Sequence, residues 1–239
     1  MTTGVTSISG QVSWRTRRRD FIELSIAYAL ILLVIWTPRP WQKHLWWVAA
    51  AAVVVIAALS FNRLQAIGLR KENFLQSIWI TGIALLLAAV SVLVSIHVHT
   101  LHLPVGGILA FAKTYWAYAL WAGVQQLLLQ GFFLPRCIGV MKSQTEGAFL
   151  AAGLFALAHL PNPILTPVTL VWGVAACLLF LHYRNLFPLA MAHAIFGITI
   201  AITIPGPVDH NMRVGLGYLT YGHRAHPNLY SLPHPATQP

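Results

Sequence analysis

The sequence predicts an all-α fold, a polytopic transmembrane helical bundle of about seven spans. Hydrophobic residues make up 57% of the 239-residue chain and charged residues only 8%, whereas a soluble domain carries about 25% charged residues. The apolar residues are grouped into runs that proline, glycine and basic residues separate, and several runs are long enough to cross a bilayer. We therefore expect one compact bundle whose main solvent is lipid.

The predicted spans follow one another with short connections, and they divide the chain into four parts. In chain order the spans cover residues 21–36, 45–61, 74–98, 110–134, 147–159, 168–181 and 186–204. The parts are a disordered cytoplasmic N-terminus at 1–20, N-terminal transmembrane helices at 21–109, a transmembrane core at 110–204 and a polar C-terminal tail at 205–239.

The first span begins after a basic cluster that contains Arg15, Arg17, Arg18 and Arg19. Basic residues hold the flanking segment in the cytoplasm. No small-residue cleavage site follows, so we expect an uncleaved signal anchor. The stretch 18–22 also resembles a twin-arginine export signal, which is the alternative interpretation.

Proline and glycine end most of the later runs, because neither residue continues a helix well. The breaks are Pro38 and Pro40 after the first span, Pro104 with Gly106 and Gly107 before the fourth, Pro135 with Arg136 after the fourth, Pro161 and Pro163 after the fifth, and Pro205 and Pro207 after the seventh. The fifth run, 147–159, is marginal in length for a full crossing.

Basic residues in the connections predict the orientation. With a cytoplasmic N-terminus, seven crossings place inside Arg63, Arg70, Lys71, Arg136, Lys142 and Arg184, and outside Arg39, Lys43, Lys113, Arg213 and Arg224. This bias favours a cytoplasmic N-terminus, and we expect an integral protein of the bacterial inner membrane. We expect the net charge of +10 to meet anionic membrane lipid rather than nucleic acid. The two cysteines, Cys137 and Cys177, suggest no disulfide framework.

Three glutamines interrupt the apolar stretch 121–134, and we expect them to form the centre of a site. Gln126 and Gln130 are four residues apart and share a helix face, and Gln125 lies about 100° round, on the flank of that face. An unpaired amide in hydrocarbon costs several kcal/mol. These side chains are therefore expected to point inward, towards the polar side chains of His159 and His193 in other apolar runs.

Each of these two histidines has two interpretations. His159 follows Phe155 by four residues and shares its helix face, and His193 lies within the last span. A neutral imidazole can accept a proton or bind a water, but a lone histidine in an apolar run is also explained as a hydrogen-bonded core residue. The combination of two histidines with three glutamines favours a polar pocket.

Carboxylates are scarce: the chain has five acidic residues, and none falls at the centre of a predicted span. They are Asp20, Glu23, Glu72, Glu146 and Asp209. The sequence therefore offers no candidate for a membrane-embedded carboxylate base or for a carboxylate proton relay.

A second group of histidines, His97, His99 and His102, falls at a span end. Three imidazoles can bind zinc or copper, but this spacing matches no metal signature, and we expect neither a metal nor another cofactor. The aromatic residues Tyr115, Trp116 and Tyr118 are interpreted as membrane-belt or packing residues rather than as a ligand cage.

The glutamines resemble the first motif of the CPBP family, also called the Abi family. This family contains type II CAAX prenyl endopeptidases and bacteriocin-processing intramembrane proteases. Its first motif is a Glu-Glu pair, three further residues and an Arg. Gln125, Gln126 and Gln130 have this spacing, with all three functional side chains changed to Gln.

The histidines resemble the family's other two motifs. Phe155 and His159 match the second motif, Phe-x-x-x-His. His193 matches the start of the third, in which Gly197 stands where the family has Asn or Asp. The resemblance covers about residues 110–204 and identifies the chain as a degenerate member of the family.

The resemblance implies an intramembrane endopeptidase in which the first Glu activates a water, and the second His and the Asn hold the oxyanion. By this resemblance, Gln125 replaces the base and Gln130 replaces the Arg that pairs with the carboxylates. His159 positions the water, and His193 keeps half of the oxyanion site. A membrane-anchored or prenylated peptide is the implied partner, and the oligomeric state is not predicted.

Three functions stay open at this point. A divergent hydrolase would use His159 as its base, with Gln125 or Gln126 orienting the water. A pseudoprotease would bind the membrane peptide or lipidated segment without cleaving it. A small transporter lined by histidine and glutamine is the third, and the missing intramembrane carboxylates and repeats count against it.

Overall fold

The structure, a computed structural model, describes residues 14–38, 40–42, 44–45, 47–48, 51, 68–69 and 72–221. These residues form helices and connections without a strand, so the predicted all-α class is confirmed. The helices whose two ends both lie in the described residues are α1 (Trp14–Ile35), α2 (Phe74–Ser77), α3 (Trp79–His97), α4 (Gly107–Leu127), α5 (Leu134–Met141), α6 (Gln144–Leu157), α7 (Leu165–Tyr183), α8 (Phe187–Thr203), α9 (Gly206–Asp209) and α10 (Gly215–Leu219), with a π-helical segment, Leu128–Phe133, between α4 and α5. Most of the predicted second span, 45–61, lies outside the described residues, as do residues 1–13 of the predicted disordered N-terminus.

The surface of the bundle fits a lipid environment. Among the described helices, Phe74–His97 and Leu165–Tyr183 are long and apolar enough to cross a membrane, and Phe187–Thr203 is apolar but shorter. Large apolar side chains also cover the outer face of α3, where Leu86 and Leu93 are about two-thirds exposed. A soluble protein rarely leaves such a continuous apolar face in water. The count of about seven spans stays a prediction.

Both ends of the described chain are more ordered than the sequence predicts. Helix α1 begins at Trp14, so Arg17–Arg19 form its first turns instead of preceding it. Arginine is a good helix former, and Arg19 Nε donates to Glu23 Oε1 at 2.6 Å, one turn away. At the other end, residues 205–221 do not form a free tail, because the Gly215 N–H donates to the Leu160 carbonyl at 2.7 Å.

Proline 135 does not end the fourth helix, contrary to the prediction of a break at 134. The chain widens into the π-helical segment, where the Leu134 N–H bonds to the Leu129 carbonyl five residues back. It then continues as α5, with Pro135 in the first turn. Proline clashes with the carbonyl four residues before it in a regular α-helix, and the wider segment before Pro135 relieves this clash. Such π-helical turns often occur at functional sites.

The helices that carry the polar residues pack around one interior. Helix α8 contacts both α3 and α4, and α6 contacts both α5 and α7. Small residues bring the helices together: a Cβ at Gly147 would lie 2.7 Å from the Ile138 backbone, and one at Gly173 would lie 3.1 Å from Ala152 Cβ. Close helix packing of this kind is typical of membrane bundles.

A buried ion pair joins α1 to α5. The Nη2 and Nε atoms of Arg136 donate to Glu23 Oε2 at 2.7 and 2.9 Å. Its Nη1 donates to the Phe132 carbonyl at 3.0 Å, and its guanidinium lies 3.6 Å from the centre of the Phe132 ring. Arg136, predicted to stop a span at the membrane surface, is instead 6% exposed.

Candidate functional site

Two of the predicted glutamines form a buried hydrogen-bonded chain with a histidine. Gln126 on α4 and Gln130 in the π-helical segment are both fully buried. Gln130 Nε2 donates to Gln126 Oε1 at 3.3 Å, and Gln126 Nε2 donates to Nδ1 of His193 on α8 at 2.9 Å. The chain is electrically neutral and links α4 to α8 across the interior. The Cys177 thiol lies beside Gln130, and Cys177 and Cys137 are both free.

This hydrogen bond sets the proton position on His193. An amide NH₂ group only donates, so His193 Nδ1 acts as the acceptor. In a neutral imidazole the proton then lies on Nε2, which makes Nε2 a donor. The ring is 5% exposed, so this donor is held in a fixed orientation by α4.

The second histidine has the opposite arrangement. His159 Nδ1 lies 2.7 Å from the carbonyl oxygen of Phe155. A carbonyl only accepts, so Nδ1 carries the proton and Nε2 is the acceptor of this ring. The sequence suggested that His159 pairs with the glutamines. This prediction is wrong, because the hydrogen-bond partner of His159 is the Phe155 carbonyl.

The Phe155 ring lies next to both histidines. Its centroid is 4.8 Å from that of His159 and 5.7 Å from that of His193, with edge-to-face geometry in both pairs. The interior thus holds one imidazole acceptor and one imidazole donor, and both rings are positioned by the same phenyl group.

These side chains lie on or behind the wall of a cavity of about 700 Å³. Five of the predicted residues line the cavity: Gln125, Phe155, His159, His193 and Gly197. Gln126 and Gln130 lie behind the wall, where Gln126 orients His193. A cavity of this volume is large enough for a small molecule or for several residues of a peptide.

Tyrosine 118 is a cavity residue that the sequence interpretation missed. A Cβ at Gly197 would collide with the Tyr118 hydroxyl, so only glycine leaves room for this ring. Tyr115 and Tyr118 both line the cavity, whereas Trp116 is 62% exposed, as expected for a belt residue. A signal was present in the sequence, since Tyr118 precedes Gln125 by seven residues and therefore lies on the same helix face.

Asp209 is the second missed residue. It lies in the segment after α8, lines the cavity and is 1% exposed. The sequence suggested no carboxylate for this interior, because Asp209 is in a polar stretch beyond the last apolar run. The segment folds back onto the bundle, which no periodicity in the sequence indicates.

The histidines at the end of α3 do not form a cluster of ligands. His102 lines the cavity, and its Nδ1 donates to the Thr100 carbonyl at 3.0 Å. In the part of the chain that the structure describes, no group of three or more His, Cys, Asp or Glu side chains is arranged to hold a metal ion.

A known protein family matches the helices that carry this site. Residues 107–199 match the family model described as type II CAAX prenyl endopeptidase Rce1-like. No curated protein and no solved structure matches the chain. The matched segment begins with α4, ends within α8 and includes both histidines and all three glutamines of the buried site. The match supports membership of the CPBP family of CAAX-protease-like membrane proteins.

Proposed function

We propose that this protein uses a CAAX-protease-like cavity to bind a membrane-associated peptide, such as a prenylated segment, and that its peptide-bond hydrolysis is slow or lost. One observation carries the proposal: the buried Gln126–His193 bond, with Gln130 behind it, is a neutral amide chain. By the family pattern, a hydrolytic site is expected to hold Glu at positions 125 and 126 and Arg at position 130. The cavity is retained while its charged groups are not.

The chemical cost of these replacements is large. A carboxamide oxygen is only feebly basic, so Gln125 cannot take a proton from water. General-base assistance is worth about 10²–10⁴ in rate, and one oxyanion donor is worth about 10²–10³. The loss of Arg at position 130 is consistent with this change, because a buried cation without anions nearby would be strongly unfavourable.

Residual hydrolysis is the second candidate, and the orientation of His159 favours it. Nε2 of His159 is the free acceptor of a ring on the cavity wall, which suits a general base. His193 Nε2–H is a donor on the same wall. The Tyr118 hydroxyl, which occupies the space above Gly197, is a further donor where the family pattern has Asn or Asp.

Binding and cleavage are tested together in lipid nanodiscs with membrane-anchored and prenylated peptides, with fragments identified by mass spectrometry. The wild type is compared with His159→Ala, His193→Ala and Gln125→Glu. We expect binding by the wild type with little or no cleavage. Cleavage that both histidine changes abolish would establish the hydrolase instead, and an absence of peptide binding would refute the proposal.

A restored variant tests whether the missing charges are the reason for low turnover. Gln125→Glu combined with Gln126→Glu and Gln130→Arg recreates the family's charge set, and the 3.3 Å contact between positions 126 and 130 suits an ion pair. We expect this variant to gain cleavage. Gln126→Glu alone is the control, because an unpaired buried carboxylate should destabilise the fold without adding activity.

We also propose that the N-terminus is cytoplasmic, which the basic residues at the start of α1 support. Lys142→Cys, in the exposed α5–α6 turn, and Val105→Cys, at a position that is 99% exposed, form a matched pair for labelling. A membrane-impermeant maleimide should reach position 105 from outside the cell and position 142 only after the membrane is opened. The reverse pattern would contradict this orientation.

A further inference from the structure

Asp209 has one carboxylate oxygen without a partner. Its Oδ1 accepts the Asn211 N–H at 2.9 Å. Its Oδ2 is buried and has no hydrogen-bond partner among the residues that the structure describes. Burial raises the pKa of the Asp209 carboxyl, and the backbone N–H groups of Asn211 and Met212 partly oppose this shift. A buried polar atom that lacks a partner is costly, so the position calls for an explanation.

The backbone after Asp209 is strained. His210, Asn211 and Met212 have φ values of 53°, 54° and 57°, so three consecutive residues that are not glycine adopt the left-handed conformation. This conformation costs roughly 1–2 kcal/mol per residue. Strained backbone tends to persist at functional sites, where the surrounding structure holds it in place.

Asn162 holds the strained turn against the bundle. This residue is fully buried, and its Nδ2 donates to the carbonyls of Asp209 at 2.7 Å and Arg213 at 3.0 Å. Its Oδ1 accepts the N–H groups of Ile164 and Leu165, at the start of α7. One buried amide thus fixes Asp209 to the loop that follows His159.

No basic side chain of the described chain neutralises Asp209. The Arg213 guanidinium lies 5.0 Å from the centre of the Tyr221 ring, and no ion pair joins it to Asp209 in the described part of the chain. His102 is near enough to stabilise the charge, but its Nδ1–H is used by the Thr100 carbonyl. Among the described residues that line the cavity, Asp209 is the one carboxylate, and the other titratable groups are imidazoles and phenols.

We propose that Asp209 is the anionic subsite of this cavity, and that its unpartnered oxygen receives the ammonium or guanidinium group of a basic side chain in the bound peptide. A charge-assisted hydrogen bond of this kind is short and strong in a dry site. It would supply the missing partner and place the basic residue at the end of the cavity nearest the loop after α6. The claim that a bound peptide supplies the cation rests on the proposed function. The claim that the subsite prefers a cation does not.

The test compares peptides that differ by one group. A prenylated peptide of otherwise neutral residues carries a single lysine at successive positions, and norleucine replaces it in the matched set. Binding is measured for the wild type and Asp209→Asn, which keeps the Oδ1 acceptor for the Asn211 N–H. For at least one position, we expect the wild type to bind the lysine peptide about tenfold more tightly than the matched norleucine peptide. The Asp209→Asn variant should lose this preference.

Asp20→Asn is the matched control, because it removes the same charge beside Gly139, far along α1 from the cavity end that contains Asp209. It should retain the lysine preference. Equal binding of lysine and norleucine peptides by the wild type, or a preference that survives in Asp209→Asn, would overturn the inference.

A second probe separates this inference from the proposed function. Thermal unfolding in nanodiscs is followed with hexylammonium and with the neutral hexan-1-ol. Hexylammonium should raise the Tm of the wild type and of Asp20→Asn, but not that of Asp209→Asn, while hexan-1-ol acts equally on all three. If no peptide binds but this difference is seen, the peptide-binding function fails and the cation subsite stands. If the difference is absent, the subsite fails.

Discussion

Tyr118 packs directly against Gly197, and the substitution Gly197→Ala tests this contact through the free energy of unfolding. A Cβ at Gly197 would meet the hydroxyl and ring atoms of Tyr118. The ring is rigid, so Gly197→Ala must push α8 away from α4 or displace Tyr118 from the cavity wall. We expect the free energy of unfolding to fall by about 1–3 kcal/mol, the usual cost of overpacking.

The same substitution should have the opposite effect once the ring is gone. In a Tyr118→Ala background the three atoms nearest to the new methyl group are gone, and alanine is better than glycine inside a helix by about 0.5–1 kcal/mol. The two effects of Gly197→Ala therefore differ by about 1.5–4 kcal/mol, which is the expected coupling energy of the pair.

The assay is unfolding in lipid bicelles by titration with SDS, applied to the wild type, both single variants and the double variant. Gly123→Ala on α4 and Gly153→Ala on α6 are the matched controls, because, apart from the chain neighbours and the backbone of the same helix turn, no atom of the described residues lies within 4 Å of a Cβ at either position. Both controls should be neutral or slightly stabilising. If Gly197→Ala costs the same with and without the Tyr118 ring, the proposed contact is wrong.

Three further outcomes are expected from the same unfolding assay. Gln126→Ala strands His193 Nδ1 and the Gln130 amide, so it should cost about 2–5 kcal/mol, whereas Gln144→Ala on the exposed start of α6 should be nearly neutral; equal effects would contradict the buried chain. Glu23→Gln removes the anion that Arg136 contacts at 2.7 Å and should cost about 3 kcal/mol, and a negligible loss would mean that this ion pair does not stabilise the fold. Because burial raises the pKa of Asp209, the folded protein holds this proton more tightly than the unfolded chain. The free energy of unfolding should therefore fall as the pH rises from about 3.9 through the raised value, and Asp209→Asn should remove that fall; a pH profile unchanged in the variant would refute the buried carboxylate.

The sequence alone was sufficient for the class of fold and for the helices that carry the site. An amino-acid composition with so few charges excludes a water-soluble bundle, and the long apolar runs leave helices as the structure in which backbone groups satisfy one another in lipid. The predicted sixth and seventh spans, 168–181 and 186–204, lie within three residues of the ends of α7 and α8. Both are bounded by turns that the sequence shows clearly.

Predictions made from neighbouring residues alone were wrong where the surrounding structure supplied a contact or a backbone change that the local sequence does not show. Pro135 usually ends a helix, but the π-helical segment before it allows the chain to continue. Arg136 looked like a membrane-surface residue because Glu23, its partner, is 113 positions away. The polar stretch after α8 was predicted to be a tail, because Asn162, which donates a hydrogen bond to the Asp209 carbonyl, lies in another connection.

The sequence by itself determined that this chain is a membrane helical bundle and that Gln126, Gln130 and His193 are polar groups confined to its interior. Helical periodicity and the cost of unpaired polar groups in hydrocarbon are enough for that conclusion. Only the tertiary structure decided which imidazole nitrogen donates and which accepts, and that Tyr118 and Asp209 join them at the cavity. Those properties depend on contacts between helices far apart in the chain, and residue spacing within one helix contains no information about them.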